Sequence, residues 1–146
     1  MKKIILIFYL IALFVSPNVF SQSIECGDLF TKYGEKPEEL EFITCKEGKG
    51  QSIVEAVYRV SSKESNKVEK YLIKKYGLGK LKWACCGWES ENGKNGQFKN
   101  TELTKINADY YLEIIMFASA EDKDGGLELN RDKIPFFTVI VKIIEV

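Results

Sequence analysis

Histidine is missing from all 146 residues. Without an imidazole the chain has no Ser–His or Cys–His nucleophile pair and no His-based metal site. An excess of either charge is missing too, since 21 Lys and Arg balance 21 Asp and Glu. With no basic run, the phosphate neutralisation that supplies most nucleic-acid affinity has no source, so no nucleic-acid partner is expected. Proline is scarce, at three residues, and no Cys-x-x-Cys spacing occurs. The chain also lacks internal repeats, low-complexity tracts and any complete cofactor-binding motif, so no cofactor is expected.

What is present begins with a leader. Met1-Lys2-Lys3 precedes an unbroken apolar run from Ile4 to Val15, Ser16-Pro17-Asn18 breaks any helix, and Val19-Phe20-Ser21 offers a plausible cut. That order is the one of a secretory signal peptide, and the run falls short of the ~20 residues a spanning helix needs. A lipid anchor at Cys26 is disfavoured, because Ser23-Ile24-Glu25 puts a charged residue where a lipobox has a small one. Residues 1–21 are therefore expected to be a signal peptide and 22–146 a single domain, periplasmic or extracellular in a bacterium. Removing the leader takes two lysines with it and leaves 125 residues carrying 19 positive and 21 negative charges. That length suits one core, and no second apolar stretch is long enough to span a bilayer.

Cys26 to Tyr33 reads as a short amphipathic helix, with Leu29, Phe30 and Tyr33 at helical spacing. Leu40–Cys45 and Ser52–Val60 read as strands joined at Gly48 and Gly50, with Val54, Ala56, Tyr58 and Val60 on one face and Glu55 and Arg59 on the other. Ser61 and Glu64 match a capping box, Val68, Tyr71, Leu72 and Tyr76 make a helical stripe, and Gly77 supplies a stop. Lys80–Cys86 reads as extended, Ser90–Asn100 as an exposed loop, and Tyr110–Phe117 and Phe136–Ile144 as the strongest strands. Too few helices for parallel crossovers, with hairpin-length connections, predict an α+β fold. Its sheet is expected to be antiparallel, of about five strands, with two helices packed on one face and disulfide staples.

Four cysteines, Cys26, Cys45, Cys85 and Cys86, predict two disulfides in an oxidising compartment. Neighbours on a strand project to opposite faces, so Cys85 and Cys86 should seek different partners. The expected pairing is Cys26–Cys85 and Cys45–Cys86. A Cys85–Cys86 bond would close an eight-membered ring and leave Cys26 for Cys45. A zinc site is disfavoured by divergent ligands and the missing histidine, and a redox pair lacks both the Cys-x-x-Cys motif and an adjacent helix N-terminus.

Cys26-Gly27-Asp28-Leu29, Lys36-Pro37, Leu40-Glu41-Phe42 with Cys45, Tyr58-Arg59-Val60, Cys85-Cys86-Gly87-Trp88-Glu89 and Ile134-Pro135-Phe136-Phe137 form a distinctive series. It resembles an uncharacterised bacterial family of small secreted proteins, a domain of unknown function with the C-G-D-L and C-C-G-W-E motifs. The resemblance implies one exported domain and carries no activity with it.

Candidate functional residues follow from chemistry. Trp88 and Glu89 could form a recognition corner, against the favoured architectural reading in which Gly87 allows a turn or bulge and the indole covers the disulfides. Asp28 and Glu89 could act as a carboxylate pair if ~5–9 Å apart, against the simpler role of Asp28 at a helix start. Glu121–Gly126 fails the EF-hand pattern at both ends, and Glu47–Ser52 fails the phosphate-loop pattern. The loops Ser90–Asn100 and Ser119–Lys133, with isolated Phe98 and Leu127, look like recognition surface. The leading expectation is a non-enzymatic binding protein with an exported protein partner, an inhibitor or immunity-type protein being its most concrete form. The rivals are a small envelope enzyme using carboxylates or a reactive thiol, and a structural envelope component.

Overall fold

Period-two alternation sets the architecture. In the computed structural model, which describes residues 23–121 and 124–146, three ten-residue strands carry that pattern: β2 (Ser52–Ser61), β6 (Tyr110–Ser119) and β7 (Phe136–Glu145). The numbering follows chain order, so β2 is preceded by helix α1 (Leu29–Tyr33) and strand β1 (Glu41–Glu47). Between β2 and β6 run α2 (Ser62–Tyr76), β3 (Leu81–Ala84), β4 (Gly87–Ser90), β5 (Gly96–Phe98) and α3 (Thr101–Ile106). The expected signal peptide lies outside the described residues.

The fold is α+β with an antiparallel sheet in the order β1-β2-β7-β6-β4-β3, β5 also pairing with β6. The expected five strands and two helices become seven strands and three helices. β4 follows directly on the Cys85–Cys86 turn, β5 lies in a polar stretch rich in Asn and Gly, and the third helix spans only six residues, Thr101–Ile106. Asn100 caps that helix by accepting from the N–H groups of Glu102 and Leu103.

One face of the sheet is closed. Val54, Ala56, Tyr58 and Val60 of β2, Leu112, Ile114, Met116 and Ala118 of β6, and Phe137, Val139, Val141 and Ile143 of β7 are all buried. Leu29 and Phe30 of α1, Val68 and Leu72 of α2 and Leu103 of α3 complete the same core. Each Val, Leu, Ile, Phe or Met among them, taken from water, stabilises by about 1.5–3 kcal/mol. Helix α2 begins where the Ser61 hydroxyl accepts from the Glu64 N–H. It ends at Gly77, whose left-handed φ of 73° lets its N–H reach Ile73 O while the Leu78 N–H reaches Leu72 O.

A polar knot fastens α2 to the rest. Glu69 is buried, and its Oε2 accepts from the Arg131 guanidinium at 2.6 Å, the two side chains being only 6% and 13% exposed. Its Oε1 accepts the Leu81 N–H at 2.7 Å, so the same carboxylate holds the first residue of β3. Arg131 also donates to Ser65 Oγ through Nε and Nη2 and lies over the rings of Phe137 and Trp88, at 4.6 and 5.6 Å. A charge this buried is stable only when paired and fully hydrogen-bonded, as here.

Gly87 opens β4 where a Cβ would run into the Ala118 carbonyl oxygen of β6, so the strands pair closely only because this residue has no side chain. Gly27, by contrast, faces open space. Gly87→Ala is expected to cost about 1–3 kcal/mol, and Gly27→Ala less than about 0.5 kcal/mol. Chemical denaturation of the two variants checks this, and equal tolerance would contradict the close β4–β6 approach.

Candidate functional site

Strands β3 and β4 form a hairpin in which Ala84 pairs with Gly87, leaving Cys85 and Cys86 as the two turn residues. Cys85 takes a left-handed φ of 49°, a position for which hairpin turns prefer Gly, Asn or Asp. A non-glycine residue held there costs about 1 kcal/mol or more. Both cysteines are exposed, and their sulfurs stand 2.9 Å apart, with Cys86 Sγ donating to Cys85 Sγ. The Cys86 thiol is pushed above its ordinary pKa, first by that hydrogen bond and the charge of Cys85, then by desolvation and by Glu121 and Glu89. A recess of about 410 Å³ adjoins the turn, its walls including Trp88, Glu89, Phe117 and Glu121.

The expected pairings Cys26–Cys85 and Cys45–Cys86 do not form; the disulfide is Cys26–Cys45. Treating Lys80–Cys86 as one continuous strand hid the turn, which removes the premise that the two sulfurs diverge. Distance is the physical reason. Cys45 lies on the edge strand β1, four strand spacings from β4, or about 19 Å, whereas a disulfide spans about 4.4–6.8 Å between Cα atoms. Cys26 and Cys45 are 5.6 Å apart by that measure.

The other predicted residues scatter. Trp88, half-buried, pairs across the hairpin with Trp83, ring centroids 6.1 Å apart, and its ring packs under Arg131. Its indole Nε1 is buried without an acceptor among the described residues. Phe98, expected on an exposed loop, is half-buried against the core with its ring 5.5 Å from Tyr76. Asp28 caps α1, accepting from the Thr31 N–H at 3.1 Å, the Tyr58 hydroxyl at 2.9 Å and Lys36 Nζ at 2.7 Å. Burial pushes its carboxyl up, but these hydrogen bonds outweigh burial and hold it below the ordinary value of 3.8. Burial holds the Tyr58 hydroxyl well above the usual phenol range, so it remains a donor.

Asp28 and Glu89 are not a catalytic pair. Asp28 touches Tyr58 on β2, whereas Glu89 sits on β4, three strand spacings or about 14 Å away. They also serve opposite faces, because Tyr58 points into the core and Glu89 is exposed in the row Arg59–Thr138–Phe117–Glu89–Lys82. Residues 122 and 123 of the acidic Glu121–Gly126 segment lie outside the described residues. Glu47–Ser52 is a hairpin turn, with the Gly48 N–H bonded to Ile53 O and Gly50 at φ 64°.

The helix-free face is not visible in any one strand, because each strand contributes only a few positions to it. Assembled by register, it shows a row Thr44–Val57–Ile140–Ile115 across four strands, apolar in its last three members. On one side runs the ladder Lys46–Glu55–Lys142–Glu113, in which Glu55 lies 3.5 and 3.6 Å from the two lysines. On the other runs the row of Arg59, Thr138, Phe117, Glu89 and Lys82. Phe117 and Phe136 are 36% and 40% exposed, and Arg59 covers the Phe136 ring at 4.3 Å.

Fold and site define a small α+β domain with one cross-link and one open sheet face. Residues 17–88 match the model of a family described as a domain of unknown function, DUF4952. The matched span contains all four cysteines and stops within β4, before β5, β6 and β7. No curated protein and no solved structure matches the chain.

The cross-link and the Asp28 cap can each be tested by substitution. The Cys26–Cys45 bond joins residues 19 apart, so Cys26→Ser should cost about 2–4 kcal/mol. Cys86→Ser should cost less than about 1 kcal/mol, as for an exposed side chain; equal losses on denaturation would contradict the pairing. Ionised Asp28, held below its ordinary pKa, stabilises the fold above about pH 4 and loses that contribution as pH falls through the lower folded value. Asp28→Ala should therefore cost about 1 kcal/mol at pH 7. The gap from the native protein should narrow on acidification, and a gap independent of pH would count against the capping network.

Proposed function

We propose that the chain is an exported, non-enzymatic binding protein, and that it meets its partner through the helix-free face of the sheet. The observation that supports this reading is the apolar row of Val57, Ile140 and Ile115, flanked on one side by the Lys–Glu ladder and on the other by a row that carries Arg59, Glu89 and Lys82. An apolar centre with a polar rim is the usual anatomy of a protein contact. The partner this face suits is another exported protein with an apolar ridge bordered by charges. The ladder charges alternate in sign and largely cancel, so they favour register and selectivity over long-range attraction. The Cys26–Cys45 cross-link fits an exported protein, and no helix among the described residues is long and apolar enough to cross a membrane.

Ile140→Lys places a charge in the apolar row without touching the core, and Lys74→Glu alters an exposed position on α2. A protein captured from the secreted or periplasmic fraction by the native chain should be lost with Ile140→Lys and kept with Lys74→Glu, both variants keeping native circular dichroism. Retention by Ile140→Lys, or capture by neither variant nor the native chain, would contradict the reading.

A further inference from the structure

Neither the cross-linked frame nor the sheet face uses the two thiols of the β3–β4 turn. Cys85 occupies a backbone position that glycine fills without strain, so the fold carries a conformational cost at this sulfur. Its neighbour's sulfur is 2.9 Å away, both side chains are exposed, and a recess opens beside them. The same chain holds its other two cysteines in a disulfide, so an open and a closed sulfur pair coexist in one molecule. Glu89 and Glu121 line the recess, and neither is in an ion pair among the described residues. Lys82 stands across from Glu89, but its ammonium engages Glu91. The walls are thus acidic and aromatic.

We propose that Cys85 and Cys86 form a thiol–disulfide exchange site that takes a cationic disulfide as its co-reactant. The hydrogen bond from Cys86 Sγ to Cys85 Sγ assigns Cys85 as the attacking sulfur. The Cys85 thiolate attacks one sulfur of the disulfide, the S–S bond breaks, and the first thiolate leaves and takes a proton. Cys86, deprotonated in turn, attacks Cys85 Sγ of the mixed disulfide and expels the second thiol. Two electrons pass from the cysteine pair to the co-reactant, which becomes two thiols, and the pair closes into an eight-membered ring. Adjacent Cα atoms are about 3.8 Å apart, below the usual disulfide span of about 4.4–6.8 Å. The ring is therefore strained and easily reopened, the property of a labile rather than a structural disulfide. The carboxylates select the co-reactant by charge, favouring an approaching cation and repelling an anion.

The probes are cystamine, a cationic disulfide, and oxidised glutathione, an anionic one, each added to the native chain with Cys26–Cys45 intact. Cystamine should make the chain two hydrogens lighter, release two thiols per chain and leave the Cys26–Cys45 peptide unchanged. Cys86→Ser should stop at a mixed disulfide on Cys85. With each rate divided by that for free cysteine, cystamine should be faster by about tenfold, and the ratio should fall towards one in the Glu89→Gln, Glu121→Gln double variant. A native chain that stops at a mixed disulfide, does not react, or links Cys85 or Cys86 to Cys26 or Cys45 would overturn the exchange site. Equal normalised rates for the two probes would overturn the cationic class.

Discussion

The buried carboxylate of Glu69 is the interaction on which the rest of the structure depends. It sits on the inner face of α2, neutralises Arg131 from the segment before β7, and accepts the backbone N–H of Leu81 where β3 begins. Three stretches of the chain, the last of them 62 residues from Glu69, thereby meet at one side chain. Arg131 in turn stacks on Phe137 and Trp88, so the knot reaches the β3–β4 hairpin from its apolar side. A hydrophobic interior alone would press α2 against the sheet without fixing where the hairpin lies. The ion pair, with a fixed set of donors and acceptors, supplies the register.

Everything that faces solvent follows from that arrangement. With the helices and the knot on one side, strand alternation delivers the opposite set of side chains to an uncovered face, where charges of opposite sign sit across from one another, as antiparallel pairing favours. The hairpin held at β4 carries Cys85 and Cys86 outward at its turn. The Cys85-Cys86-Gly87-Trp88-Glu89 run thus places two sulfurs at the turn, a bare backbone against Ala118, an indole beneath Arg131 and a carboxylate on the open face.

What could be read from the sequence was whatever is written locally. Ser61 and Gly77 bracket α2, and the alternation in β2, β6 and β7 is plain, so their bounds agree with the structure to within two residues. The Cys85–Cys86 turn was illegible because it carries none of the residues that normally announce one, and its left-handed φ is imposed by the pairing on either side. Disulfide partners and the separation of Asp28 from Glu89 depend on strand order, which local pattern does not encode. Arg131 lies in the Ser119–Lys133 loop, where the sequence pattern marks only recognition surface. It is one of only two arginines in a chain that otherwise uses lysine, and that choice was the available signal, since a guanidinium suits buried, multiply bonded and ring-stacked sites.

The most direct measurement is a double-mutant cycle on the knot, with Glu69→Gln, Arg131→Met and the double variant compared by equilibrium denaturation. If Glu69 and Arg131 organise the fold as described, their coupling should be about 2–3 kcal/mol. Losses that simply add, to within about 0.5 kcal/mol, would show that the two side chains act independently and that something else sets the position of the hairpin.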